Sequence, residues 1–226
     1  MNWEEEKIRF NNFIIENNVI GLFKSPILLK SGRESYWYVN WRNVAADVYL
    51  LDKLTDYLLS YIEYLDLKPT CFFGVPEGAS KLGIIIQFKW AKKQKNYNAG
   101  VYTLSMGRGL KKEHGDPKDR VFLGIPNGKV IILEDAVTTG DALVSTINEL
   151  KKIGINIIAT IVLTDRNELR DDGKTVEEII LEQGIKYYAM SNAIELLPNL
   201  KLDKEVAKKI EEYYKKYGSK EITLTN

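Results

Sequence analysis

Residues 130–142 hold the side chains best suited to chemistry in this 226-residue chain. Four apolar residues typical of a buried strand come first, followed by two carboxylates, Glu134 and Asp135, and a Thr-Thr-Gly turn at 138–140. A helical pattern begins at Ala142. Acidic groups and a small, hydroxyl-rich turn therefore follow a strand at its carboxyl end, where open α/β sheets bind their ligands.

The Thr-Thr-Gly turn suits a phosphate group. Free backbone N–H groups at a turn and helix start attract anions, and the Thr138 and Thr139 hydroxyls add donors. Gly140, which has no side chain, lets the backbone approach a ligand closely. Glu134 and Asp135 would repel a phosphate, so we expect them to hold sugar hydroxyls. A metal ion bridging the sugar and further phosphates would also relieve that repulsion. A strand that ends in acids and a turn also occurs with no ligand.

An alternation of strand and helix patterns predicts the parallel α/β sheet that would position these groups. Strands are expected at 27–29, 36–39, 71–75, 100–104, 129–133 and 157–163, and helices at 3–19, 47–65, 80–93, 142–153, 176–183 and 204–217, with a short segment at 187–190 after the helix at 176–183. We predict a single domain over 1–226, with an α/β core at about 68–190 and an N-terminal, hairpin-containing hood at about 1–45. The last helix is expected to pack on the core or at a subunit contact.

Composition excludes several classes of protein. Lys and Arg number 32 against 31 Asp and Glu, giving a net charge of +1, so nucleic acid is not an expected partner. No apolar run reaches membrane-spanning length, and the acidic N-terminus does not resemble a signal sequence. The single cysteine, Cys71, cannot form an internal disulfide and lies among apolar residues, which favours a buried structural role and a cytoplasmic location.

Two further loops carry residues suited to an anionic ligand. The loop at 74–80 is rich in small residues whose amides can face a diphosphate, although Gly and Pro also simply mark turns. The stretch 105–120 carries Arg108, Lys112 and His114, the only histidine, among several glycines. A lid that brings these cations to a leaving diphosphate would stabilise its charge, and a solvated surface loop is the alternative.

Two other segments suit a flat, charged heterocycle. Lys30 is followed by an aromatic run at 36–38, whose rings can bracket a heterocycle or pack inside a hairpin. Arg166 follows a predicted strand and can clamp a carboxylate through two parallel hydrogen bonds. Pairing of Arg166 with Asp165 as a structural ion pair is the other interpretation.

Residues 130–142 resemble the signature of type I phosphoribosyltransferases, which bind 5-phosphoribosyl 1-diphosphate (PRPP). The Leu-Lys-Ser-Gly-Arg run at 29–33, the segment 108–115 and the Asp-Arg pair at 165–166 stand in the order found in the orotate phosphoribosyltransferase family. This resemblance extends from about residue 13 to about residue 166. It implies a central parallel sheet flanked by helices, with a small N-terminal hood.

The resemblance also implies site residues, a metal and an assembly. PRPP would bind Lys30 and the run Glu134, Asp135, Ala136, Val137, Thr138, Thr139, Gly140, Asp141 and Ala142. Orotate would bind Lys30, Tyr38, Thr138 and Arg166, and the catalytic groups would be Arg108, Lys112, His114 and Asp135. Mg²⁺ would be held mainly by PRPP and water. In the family the 105–120 loop reaches across a homodimer into the neighbouring active site.

The implied reaction joins a ring nitrogen of orotate to the anomeric carbon of PRPP, releasing diphosphate and orotidine 5′-monophosphate on the route to UMP. Its transition state is expected to be oxocarbenium-like, so positioning and charge stabilisation would carry catalysis. A phosphoribosyltransferase for another base, in which Arg166 would lack a carboxylate partner, is one alternative. A regulatory protein that keeps the PRPP pocket is the other, although the retained Lys112 and His114 favour an enzyme.

The chain departs from the family pattern at two positions. Glu77 stands where many members carry a lysine, and Gly109 stands where a second basic residue is usual, with Lys111 as a possible substitute. Both changes remove positive charge near the expected diphosphate. Weaker PRPP binding, or a different arrangement of the metal, is the resulting hypothesis.

Overall fold

The centre of the structure, a computed structural model that describes residues 3–109, 113–114 and 121–224, is a four-stranded parallel sheet. Its strands are β3 (Cys71–Gly74), β6 (Lys129–Val137), β7 (Asn156–Asp165) and β8 (Lys186–Asn192), which lie in that order across the sheet. The predicted fold class, a parallel sheet flanked by helices, is confirmed.

Core packing explains why these strands are continuous apolar runs. Along β6, Ile131 and Leu133 pack in one apolar cluster, whereas Val130 and Ile132 pack in a second cluster on the opposite face. A sheet covered on both faces needs apolar residues at successive positions. Cys71 is buried in the second cluster, and burial raises the pKa of its thiol, as expected for a structural cysteine.

The helices that cover the sheet follow its strands along the chain. The three crossover helices are α4 (Ser80–Lys92), α5 (Asp141–Lys152) and α6 (Val176–Glu182). After β8 come α7 (Ala193–Leu196), a short 3₁₀ turn and α8 (Lys204–Tyr217). The amphipathic α8 buries Val206, Ile210, Tyr213 and Tyr214, so it packs on the core, one of the two expected roles.

The hood contains the expected hairpin. It consists of α1 (Trp3–Glu16), β1 (Ile20–Leu28), β2 (Glu34–Val39) and the short helix α2 (Arg42–Ala46), and it leads into α3 (Val48–Tyr64). β1 and β2 pair antiparallel, with a register shift between Leu22 and Ile27. β1 is longer than the predicted strand at 27–29. No helix among the described residues is long and apolar enough to span a bilayer.

The prediction of a strand at 100–104 is wrong. Gly100 takes a φ of +76°, and Val101 and Leu104 expose their side chains, so this segment adds no strand to the sheet. Two-residue strands, β4 (Met106–Gly107) and β5 (Phe122–Leu123), instead pair antiparallel beyond it. β6 also runs four residues further than predicted, to Val137, so both carboxylates lie within the strand.

Candidate active site

A cavity of about 310 Å³ opens at the carboxyl ends of β3 and β6, where the hood faces the sheet. It is lined by residues 29–31, 38–39, 42, 76–78, 134–142 and 166. Segments that are distant in the sequence therefore meet in one space. They include Lys30, Tyr38, Arg166 and the whole run from Glu134 to Ala142 that the sequence singled out.

The turn at 138–142 consists of the three residues between β6 and α5 and the first two residues of α5. Gly140 caps α5 with a φ of +70°, and a Cβ placed there would lie 2.7 Å from Val176 Cγ1. Only glycine fits this backbone and this contact. The Thr139 hydroxyl donates to Asp141 Oδ2 at 2.7 Å. The turn and the start of α5 line the cavity, and the backbone amides of a helix N-terminus suit a phosphate.

Arg170 holds the 138–142 turn from outside. Its Nη1 donates to the Thr139 carbonyl oxygen and, at 3.0 Å, to Asp141 Oδ1. The guanidinium therefore offsets the negative charge of Asp141 beside the place where an anion would bind. Arg170 was not predicted as a site residue, because it lies 29 residues beyond Asp141 and no local pattern links the two.

Glu134 and Asp135 stand side by side in different surroundings. Glu134 is only 6% exposed, and burial, together with the Asp135 charge, raises the pKa of its carboxyl group well above the ordinary value. The charge of Lys30 acts in the opposite direction. Asp135 is half-buried and packs against Gly78, where a Cβ would overlap the Asp135 carboxylate. The loop after β3 is therefore shaped around this carboxylate.

Arg166 is 2% exposed and borders the cavity. Its Nε donates to Glu168 Oε1 at 2.7 Å, its Nη2 to Ser35 Oγ at 3.1 Å and its Nη1 to the Trp37 carbonyl oxygen at 3.2 Å. The interpretation of Asp165 and Arg166 as a structural ion pair is wrong. Asp165 accepts hydrogen bonds from Tyr187 and the Asn167 amide, and the carboxylate paired with Arg166 belongs to Glu168.

Residues of the aromatic run at 36–38 take both expected roles, packing in the interior and lining the cavity. Trp37 is fully buried, stacks 6.2 Å from Tyr214 and lies under the Arg166 guanidinium. Tyr38, on the opposite side of β2, is half-buried and lines the cavity. Strand alternation explains this division, because neighbouring side chains of a strand point to opposite faces.

Two of the expected lid residues, Arg108 and His114, do not line this cavity. Arg108 is half-buried, and its backbone N–H donates to the Val121 carbonyl oxygen at 2.9 Å. It borders a second space of about 230 Å³ beside the start of α5. His114 is exposed. Lys112 lies outside the described residues, so its predicted role stays a prediction.

Arg42 is a cavity residue that was not predicted from the sequence. It is exposed at the start of α2 and lines the cavity, and its side chain forms no hydrogen bond or ion pair with another described residue. Nothing in its local pattern distinguishes it from a surface arginine. Only the packing of the hood over the sheet brings it to the site.

Comparison with known proteins gives the class. The phosphoribosyl transferase domain model matches residues 40–186, so the chain belongs to the phosphoribosyltransferase family. The sheet, the acidic pair and the turn before α5 all lie within or at the edge of that match.

Within this class, the chain belongs with the orotate phosphoribosyltransferases, which confirms the resemblance drawn from its sequence. It is 30% identical over 162 residues to the orotate phosphoribosyltransferase of Methanosphaera stadtmanae, covering 72% of this chain and 83% of that protein. It is 28% identical to that of Clostridium botulinum strain Alaska E43, over 96% of this chain and 100% of that protein. The crystal structure of the Francisella tularensis enzyme has a TM-score of 0.67 and 27% identity, covering 93% of this chain and 100% of that one.

Proposed function

We propose that this protein transfers the phosphoribosyl group of PRPP to orotate, giving orotidine 5′-monophosphate and diphosphate in pyrimidine biosynthesis. One observation carries the proposal: a single cavity holds a turn suited to a phosphate, an acidic pair suited to ribose hydroxyls and an arginine suited to a carboxylate. The orotate phosphoribosyltransferases that it resembles support the choice of base.

Each part of the two substrates has a matching group. The 138–142 turn would hold the 5′-phosphate through backbone amides and threonine hydroxyls. Glu134 and Asp135 would accept hydrogen bonds from the ribose hydroxyls. Arg166 borders the same cavity and would bind the orotate carboxylate in exchange for its contacts with Ser35 and Trp37, which take the parallel N–H groups of its terminal edge.

The base would lie between the hood and Arg166. Tyr38 offers a ring face, and Lys30 and Thr138 offer donors at the same cavity wall. Orotate held there has its ring nitrogen next to the sugar that the acidic pair holds. Catalysis would then depend on alignment of the two substrates and on stabilisation of the oxocarbenium-like transition state.

Lys30 and Arg42 are the cations we assign to the diphosphate and its surroundings. Both line the cavity, and Glu77 lies there as an opposing charge. Glu134 and Asp135 supply oxygen atoms of the type that Mg²⁺ prefers. The described residues contain no group of three or more His, Cys, Asp or Glu that could hold a metal alone. This donor set fits Mg²⁺ bound mainly by PRPP and water, where the ion would neutralise the diphosphate.

We propose that the protein acts as a cytoplasmic homodimer whose 105–120 loop serves the partner subunit. The described loop residues Arg108 and His114 do not line the cavity of their own chain. An apolar surface between α2 and α4 suits the subunit contact, and Val48 there is 87% exposed. Mixing Arg166→Lys protein with Lys112→Ala protein tests the sharing. Mixed dimers should regain activity through one intact site, and no recovery despite subunit exchange would contradict a shared loop.

The reaction itself can be followed through the ultraviolet absorbance of orotate. Purified protein with PRPP and Mg²⁺ should consume orotate only when PRPP is present. Uracil and adenine, which lack a carboxylate, serve as matched controls and should react far more slowly. Turnover of adenine without turnover of orotate would retain the PRPP site and overturn the choice of base.

A further inference from the structure

Two oxygen atoms of the hood occupy the terminal edge of the Arg166 guanidinium. Arg166 Nη2 donates to Ser35 Oγ at 3.1 Å, and Nη1 donates to the Trp37 carbonyl oxygen at 3.2 Å. The Ser35 hydroxyl donates to the same carbonyl oxygen at 2.7 Å, so the two oxygens lie side by side. An arginine binds a carboxylate through the same arrangement, in which two parallel N–H groups face two neighbouring oxygens. The hood therefore gives Arg166 two oxygens at the place that a ligand carboxylate would take.

These two oxygens are neutral partners of a buried cation. Ser35 and Trp37 are 0% exposed, and Arg166 is 2% exposed. A buried N–H group without an acceptor costs free energy, so both contacts keep the guanidinium satisfied. A carboxylate adds its charge to the same two hydrogen bonds and is the stronger partner. An incoming carboxylate can therefore compete successfully for this edge, although it must first displace the bonds that are already there.

The surroundings of Arg166 indicate which partner can be displaced. Its Nε is held by Glu168, a fully buried carboxylate that already matches a ligand in charge. The Trp37 carbonyl oxygen belongs to the backbone of β2, which is paired with β1. Ser35 Oγ lies instead on a side chain that can rotate about a single bond. Ser35 is therefore the partner whose displacement changes the hood least.

We propose that the Ser35 hydroxyl is an internal competitor for the carboxylate-binding edge of Arg166 and is displaced when a ligand carboxylate binds. The inference rests on the proposed function, because it takes the carboxylate of orotate as the ligand of Arg166. The product, orotidine 5′-monophosphate, keeps that carboxylate, so Ser35 weakens the binding of substrate and product alike. Removing the hydroxyl should then strengthen the binding of both, whereas removing a purely structural hydroxyl would not.

The test uses two variants of Ser35 and one matched control. Ser35→Ala removes the competing hydroxyl, and Ser35→Cys replaces it with a thiol, which is a weak acceptor. Ser191→Ala is the control, because Ser191 is also 0% exposed and its hydroxyl also donates to a backbone carbonyl oxygen at 2.7 Å, outside the cavity lining. Calorimetry gives the Kd of each protein for orotidine 5′-monophosphate and for UMP, two nucleotides that differ only in the carboxylate.

We expect the Kd for orotidine 5′-monophosphate to fall about tenfold in Ser35→Ala, as for removal of a competing hydrogen bond to a charged group. The orotate KM should fall by a similar factor, and Ser35→Cys should show a smaller gain in the same direction. The Kd for UMP should stay at the wild-type value in both variants. Ser191→Ala should leave both Kd values unchanged. Ser35→Cys carries the same test should the alanine variant not fold.

Three results would overturn the inference. The Ser35 variants could bind orotidine 5′-monophosphate no better than wild type, they could gain equally for UMP, or Ser191→Ala could reproduce their gain. The first would mean that the hydroxyl does not compete with a carboxylate, and the other two would mean that the gain does not arise at Arg166. Failure of the proposed function has a different signature, since the wild-type protein itself would then bind PRPP but not convert orotate.

Discussion

The 138–142 turn and the surroundings of Arg166 lie in one cavity but are built in different ways. The turn comprises five consecutive residues, and its donors are mainly backbone amides at the start of α5. Arg166 is instead held by buried side chains from the hood, the segment after β7 and α8. The proposed phosphate site therefore depends on local backbone geometry, whereas the proposed carboxylate site depends on a long-range network.

A short segment after β7 connects these two regions. Arg166 begins it and borders the cavity, and Arg170, four residues later, bonds to Thr139 and Asp141 of the turn. Substitutions can therefore be chosen to damage one region and spare the other.

The largest effect is expected at Gly140. Gly140→Ala forces a side chain into a left-handed backbone and to within 2.7 Å of Val176 Cγ1. We expect PRPP affinity to fall about a hundredfold from this combined strain, with much less change in orotate binding by Arg166. Calorimetric titration with PRPP provides the measurement.

Gly154→Ala is the matched control for this substitution. Gly154 has a φ of +78° just after α5, and a Cβ added there would meet no atom within 4 Å. This variant carries the same backbone strain without the contact and should bind PRPP as wild type does. Equal losses in both variants would show that general destabilisation, and not the shape of the turn, controls PRPP binding.

The next effect concerns Arg170. Arg170→Gln removes the ion pair with Asp141 and the charged donor to the Thr139 carbonyl oxygen, so the PRPP KM should rise about tenfold. The orotate KM should change little. Lys174→Gln, which breaks an exposed ion pair with Glu182, is the control and should leave both KM values unchanged. An equal rise in the orotate KM would show that the two regions are not separable.

The buried carboxylate Glu134 predicts a pH dependence of stability. Its pKa is raised by burial and by Asp135, so the folded state binds this proton more tightly than the unfolded state does. Stability is then lost as pH rises from the ordinary carboxyl value toward the raised pKa. Glu134→Gln should melt at a higher temperature than wild type at about pH 8 and at nearly the same temperature at about pH 4. A difference independent of pH would contradict this assignment.

The smallest effect is expected at Glu77, where the chain departs from its family. A Cβ at Gly109 would overlap the Glu77 carboxylate, so the two departures are in contact and act as one feature. Glu77→Lys should lower the PRPP KM about threefold, as for one exposed charge. Glu63→Lys makes the same charge change on α3, outside the cavity lining, and should have no effect. No gain in Glu77→Lys would count against the hypothesis of weakened PRPP binding.

The contrast between the two regions also explains what the sequence could predict. The sequence could predict features that are contiguous patterns, namely the 138–142 turn, the acidic pair and the parallel core. The partner of Arg166 could not be predicted, since Asp165 is adjacent in sequence but bonds to Tyr187, and Glu168 reaches Arg166 through a turn of the chain.

Other misses have the same origin in tertiary packing. Arg42 reaches the cavity only because the hood covers the sheet, and Tyr213 reaches Glu168 only because α8 packs back on β2. The strand predicted at 100–104 failed because apolar residues form a strand only where a neighbouring strand can pair with them. The sequence pattern alone does not indicate whether such a neighbouring strand is present.

The most direct test of the account compares wild-type protein with Arg166→Lys, which keeps the charge but cannot form the bidentate contact. Turnover of orotate is followed by absorbance, and PRPP binding is measured by calorimetry on the same samples. We predict PRPP-dependent loss of orotate with the wild type, a fall of about a hundredfold in kcat/KM for orotate in the variant, and unchanged PRPP affinity. Orotate turnover that survives in Arg166→Lys, or a wild-type protein that binds PRPP and leaves orotate intact, would contradict the account.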